Sequence, residues 1–129
     1  MADRQLVQLW LNKGDEDFGF ADSSLKDSPY YAQICFHFQQ AAEKYLKAFI
    51  IAYDLKFEKQ HNLVALLDTC GEKASSLLSL KSPCEFLTTL YIDTRYPVLW
   101  PADYTKDTAL KAKDAASAIS VAIKAFLHS

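Results

Sequence analysis

Apolar residues recur along this chain in steps of three and four, and nowhere does strict alternation last long enough for a strand. Leu6, Leu9, Trp10, Phe20 or Ala21, and Leu25 follow the helical spacing with Lys13 and Asp17 between them, which predicts a first helix over about residues 3–26. Gly14 and Gly19 weaken that helix and allow a neighbour to come close. Ser28 followed by Pro29 reads as a cap and a first helical position. From there Ile34, Phe38, Ala41, Tyr45, Phe49 and Ala52 make one stripe, so a second helix runs to Tyr53 or Asp54.

The rest of the chain is built from shorter pieces. Asn62 caps a short helix with Leu63, Leu66 and Leu67 inward, and Gly71 is its expected stop. "EKASSLLSLKS" gives another helical piece. Ser82 and Pro83 repeat the cap-then-proline signal ahead of a helix through Phe86, Leu87, Leu90 and Tyr91 that ends at Arg95, since Pro97 disfavours helical backbone at Tyr96. "YPVLWPADYT" reads as an irregular loop. Thr105 caps the last helix, which uses Leu110 or Ala112, then Ala115, Ile119, Ala122, Ile123 and Phe126. The expected fold class is all-α: an antiparallel, up-and-down bundle of four to five helices, in one domain over residues 1–129.

Composition fits this picture and narrows the function. Half of the 129 residues are hydrophobic, enough for a continuous core without disulfides or metals. A net charge of -2 argues against a protein that coats nucleic acid through bulk charge. Cys35, Cys70 and Cys84 show no CxxC spacing and read as buried, reduced thiols. The charged start "MADRQLVQLWLNKGDEDF" is no secretory signal, and no run approaches the roughly 18 apolar residues of a membrane span. A cytoplasmic protein with no membrane association is expected. No P-loop, GxGxxG, HExxH or GxSxG pattern is present, and neither a metal nor a cofactor is expected.

Three places carry candidate chemistry. On the second helix, His37, Gln40, Lys44 and Lys47 are spaced three, four and three apart and share a face, with Glu43 positioned to pair with Lys47. That stripe reads either as a solvated helix back or as a row of donors suited to phosphate oxygens. Arg95 stands where a helix stops: it complements the helix dipole or grips a phosphate or carboxylate with two parallel hydrogen bonds. His61, just before the Asn62 cap, is placed to cap, to pack or to titrate near neutrality. A third, purely structural reading makes the polar residues a network that fixes helix register, with Arg95 paired to Asp17 or Glu43.

Together "FQQAAEKYLKAF", "HNLVALL" and "TRYP", in that order, resemble the HEPN domain family, whose name refers to higher eukaryotes and prokaryotes nucleotide-binding. The resemblance runs from about Leu6 to Leu127 and includes an acidic residue near Asp17 on the first helix. It implies a helical bundle that commonly dimerises and works beside a small, separately encoded nucleotidyltransferase, as in toxin–antitoxin pairs. It implies a nucleotide- or RNA-phosphate site built from Arg95, Lys44, Lys47, Gln40, Glu43, His37 and Tyr96, with Asp17, His61 and Tyr104 behind them. The alternative it implies is a metal-independent endoribonuclease toxin. In such members an Arg is followed, after four to six residues, by a His that handles a proton. This sequence departs there: Trp100, Pro101 and Ala102 occupy those positions, and no His follows until His128. Arg95 is left as the catalytic candidate, and a proton carrier would have to come from elsewhere, with His37 and His61 as the only realistic donors.

Overall fold

A computed structural model describes residues 3–57, 59–95 and 104–128, and for residues 91–95 the backbone alone. Five α-helices and one 3-10 turn make up these residues, with no strand among them: α1 (Arg4–Ser24), α2 (Tyr31–Ala52), α3 (Leu63–Lys73), the 3-10 turn Ser75–Leu80, α4 (Lys81–Arg95) and α5 (Lys106–Leu127). The all-α reading holds.

α2 is the central helix. It packs against α1, α3, α4 and α5, and from Ala41 to Ile50 only Lys44 is not buried. This is why its sequence is apolar nearly all round. Phe38, Tyr45 and Phe49 are fully buried, and burial of each aromatic ring contributes on the order of 1.5–3 kcal/mol. Phe18 of α1 meets Phe38 edge-on at 5.1 Å between ring centres, and Phe126 of α5 meets Phe49 at 5.3 Å.

The expected stripe of α1 is inward only in part. Ala21 and Leu25 are buried and Trp10 packs half-buried on the core, but Leu6, Leu9 and Phe20 are exposed, and Val7, Leu11 and Gly14 take the inward face of the first turns. The helix carries two apolar stripes, and the glycine decides between them. A Cβ at Gly14 would lie 2.7 Å from the Tyr45 ring, so only this stripe lets α1 and α2 approach so closely. Gly19 has nothing within 4 Å of a Cβ, so the close approach expected of both glycines belongs to Gly14 alone.

The helix ends also depart in places. Ser28 accepts from the Tyr30 N–H (3.2 Å) in a turn before the helix, so α2 starts at Tyr31 without a side-chain cap and Pro29 lies outside it. α2 closes on Asp54, with a positive φ of 52°. The Leu55 N–H donates to the Ile50 carbonyl (2.9 Å) and the Asp54 N–H to Ile51 (3.2 Å), the paired bonds of a Schellman ending. Asn62 caps α3 as expected, accepting from Val64 and Ala65. Gly71 does not stop α3, which continues to Lys73. It is where Leu78 of the 3-10 turn lies against the helix, 2.4 Å from a hypothetical Cβ. The 3-10 turn leads directly into α4, and Pro83 falls in its first turn, where no N–H is needed. Thr105 caps α5 in a reciprocal pair with Thr108. Ala112 faces the core while Leu110 is exposed.

Among the described residues, no helix is long and apolar enough to cross a membrane.

Candidate functional site

The polar stripe of α2 is organised by two carboxylates, each holding one histidine and one lysine. Asp17, reaching across from α1, meets His37 Nδ1 with Oδ1 (3.2 Å) and accepts from Lys44 Nζ with Oδ2. Glu43, on α2 itself, meets His61 Nδ1 with Oε1 (2.9 Å) and accepts from Lys47 Nζ with Oε2 (3.1 Å). The first cluster ties α1 to α2. The second ties the connector before α3 to α2. Gln40 lies on the same stripe, donating to Gln39 Oε1 (2.8 Å), and the buried Gln39 in turn reaches the His61 carbonyl (3.4 Å).

Burial separates the two lysine–carboxylate pairs but not the histidines, since His61 is 51% exposed. The Glu43 and Lys47 side chains are 7% and 8% exposed, so this pair is part of the interior and not a solvated helix back. Lys44 (29%) and His37 (32%) stay accessible beside Asp17. The connector covers the buried pair: Phe57 lies under the Lys47 ammonium, 5.6 Å from nitrogen to ring centre, and meets Trp10 edge-on at 5.7 Å. Phe20 of α1 meets the His37 ring edge-on at 4.7 Å.

Of the residues singled out in the sequence, His37, Gln40, Glu43, Lys44 and Lys47 share the α2 stripe, and the structure brings Asp17 and His61 into one band with it through their bonds with His37, Lys44 and Glu43. Gln39, Phe20 and Phe57 belong to the same band, and their spacing does not mark them for it. Tyr104 packs half-buried against the core just before α5. Arg95 ends α4. Its side chain lies outside the described residues, as do Tyr96 and the positions Trp100, Pro101 and Ala102.

A second polar cluster on the α1–α2–α5 side has no signature in the sequence. Asp15 accepts from the Tyr45 hydroxyl (2.6 Å) and from Lys124 (2.7 Å). Burial and the Asp15 hydrogen bond push the Tyr45 phenol well above its ordinary value. A cleft of about 430 Å³ lies where the start of α1 meets the ends of α2 and α5, lined by Arg4, Val7, Gln8, Leu11, Ala52, Leu127 and His128. None of the band residues lines it. Burial pushes Cys35, Cys70 and Cys84 each up to about 12, so these thiols are not nucleophiles at neutral pH. Among the described residues, no three His, Cys, Asp or Glu side chains are grouped to hold a metal ion.

Each histidine bonds a carboxylate through Nδ1, which fixes the ring's orientation, and each lysine is held at a set position by the same carboxylate.

Comparison with known proteins adds the following. The family model described as HEPN domain matches residues 7–126. The fold is similar to the crystal structure of TT1696 from Thermus thermophilus, with a TM-score of 0.82, 31% sequence identity, and 92% of this chain and 95% of that chain covered. It is also similar to ST0689, an archaeal HEPN homologue, with a TM-score of 0.75, 23% identity and the same coverage of each chain. No curated protein matches significantly.

Proposed function

The chain belongs to the HEPN domain family, and on that premise we propose that it is a single-domain module that binds nucleotide or RNA phosphate, acting as a homodimer beside a minimal nucleotidyltransferase. One observation carries the reading. Lys44 and His37 stand at the accessible edge of a band that is otherwise locked in place, held at fixed positions by Asp17. Donors fixed in advance lose little entropy when an anion arrives. In this reading Lys44, His37 and Gln40 meet the phosphate together with Arg95, from the end of a helix packed on α2, and with Tyr96 as its neighbour in sequence. The buried Glu43–Lys47 pair holds the wall behind them, with half-exposed His61 bonded to Glu43 and Tyr104 in a second tier.

The test is calorimetric titration of ADP and of a short oligoribonucleotide into the wild type and the Arg95→Ala/Lys44→Ala variant. Binding is expected in the wild type and lost in the variant, with the helical circular dichroism unchanged. Unchanged affinity in the variant removes the reading.

A second reading, a metal-independent ribonuclease toxin, is favoured by the two carboxylate–histidine pairs. A histidine oriented through Nδ1 is a known arrangement for proton transfer. It requires RNA cleavage that persists in EDTA and falls in His37→Gln or His61→Gln. RNA left intact by the purified protein, with and without metal, excludes it.

A further inference from the structure

The cleft where the start of α1 meets the ends of α2 and α5 shares no residue with the polar band, and its lining is two-sided. Val7, Leu11 and Ala52 form a buried apolar floor, with half-buried Leu127 beside them. Arg4, Gln8 and His128 make an exposed polar rim. A volume of about 430 Å³ falls within the roughly 300–1,000 Å³ of small-molecule sites, which pair an apolar lining with a few polar groups in the same way.

The rim carries charge of one sign. Arg4 is a permanent cation, His128 becomes one when protonated, and no carboxylate lines the cleft. Among the described residues, neither the Arg4 nor the His128 side chain makes an ion pair or hydrogen bond. Asp3, the acid next to Arg4 in sequence, accepts instead from the Gln5 N–H (2.8 Å), and Gln8 donates to Asn12 Oδ1 (2.8 Å). One uncommitted guanidinium over an apolar floor suits a ligand with one anionic end and an apolar body.

We propose that this cleft binds a small monocarboxylate with an apolar body. Arg4 takes the carboxylate in two parallel hydrogen bonds, and the body covers Val7, Leu11, Ala52 and Leu127. The helix ends set the direction. α2 and α5 bring their negative, carbonyl ends to the cleft, whereas Arg4 stands in the first turn of α1. The carboxylate therefore lies on the α1 side and the apolar body under the ends of α2 and α5. A single fixed cation matches a single negative charge, while a phosphate is better served by the paired donors of the polar band. At about 30 Å³ for each water-sized group, 430 Å³ leaves room for roughly 10–14 non-hydrogen atoms. Octanoate is of that size. Since it would touch three helices at once, its binding should raise the thermal midpoint of the bundle.

Titration of octanoate into the full chain, followed through the methyl resonances of Val7, Leu11 and Leu127, tests this. The three should shift together and saturate at submillimolar octanoate. Arg4→Gln removes the charge-assisted bonds and should weaken binding at least tenfold. Octanol, the same chain without the charge, should bind the wild type at least tenfold more weakly than octanoate and bind Arg4→Gln as it binds the wild type. Gln8→Trp, at an exposed rim position, should fill the cleft and abolish the shifts with circular dichroism unchanged. No saturable shift at millimolar octanoate overturns the proposal. So does octanoate binding that is undiminished in Arg4→Gln or Gln8→Trp, or matched by octanol, or confined to resonances of the polar band.

Discussion

Glu43 Oε2 stands 3.1 Å from Lys47 Nζ, one turn along the same helix, and both side chains are more than nine-tenths buried. A surface pair at this spacing adds only about 0.3–0.5 kcal/mol. In the interior the sign of each change depends on what is left behind. Glu43→Ala strands a buried ammonium and also releases His61, so a loss of about 3–5 kcal/mol is expected in urea unfolding. Replacing both partners, Glu43→Leu with Lys47→Met, should cost less than Glu43→Ala alone. A double variant less stable than the single one would contradict this account.

The two glycines of α1 should respond in opposite directions. Gly14→Ala drives a methyl into the Tyr45 ring, whose hydroxyl is held by Asp15, and should destabilise by about 1–3 kcal/mol. Gly19→Ala meets open space on a helix and should stabilise by about 0.5–1 kcal/mol. Thermal unfolding of the two variants side by side is the measurement.

Asp54 ends α2 in the left-handed region, where a side chain is tolerated at some cost. Asp54→Gly should keep both Schellman hydrogen bonds and raise stability by up to about 1 kcal/mol, whereas Asp54→Val should lower it. Equal stability of the two variants would show that this ending is not under strain.

The three thiols make stability fall at alkaline pH. In the unfolded chain they ionise near an ordinary 9.0, while burial in the fold pushes each up to about 12. The folded state holds the protons longer, so its advantage is complete below pH 9.0 and is lost as pH rises toward 12. Tyr45, raised in the same direction, adds to the loss above its ordinary 10.0. The urea midpoint should decline over this window, less so in a Cys→Ala triple variant. Native protein at neutral pH should resist alkylation by iodoacetamide until denaturant is added.

Where the signal was local, the sequence was legible. Asn62 and Thr105 announce their helices because a cap is made by a side chain and the N–H groups two or three residues on. The described part of α4 runs to Arg95, and the loop that Pro97 leads the sequence to predict lies outside the described residues. The inward face of α1 was only partly legible, because two apolar stripes compete and the winner is set by Gly14 meeting Tyr45, a residue of another helix. The polar band was half legible: its α2 members share a period, but Asp17 and His61 join it only through tertiary contact, and Phe57 through the course of the connector. Ser28 and Gly71 carry signals with two meanings. A serine before a proline makes a turn as readily as a cap, and a glycine near a helix end serves packing as well as termination.

The central place of α2 has a consequence for how the molecule opens. Flanked by four other helices, its amides reach solvent only when the whole bundle comes apart, whereas the outer turns of α1 and α5 can fray alone. Hydrogen exchange in the middle of α2 would therefore report the global unfolding free energy directly. A ligand held on the stripe from His37 to Lys47 would slow that exchange by a factor that grows as 1 + [L]/Kd, so protection there would serve as a binding assay that needs no chromophore and no knowledge of the reaction.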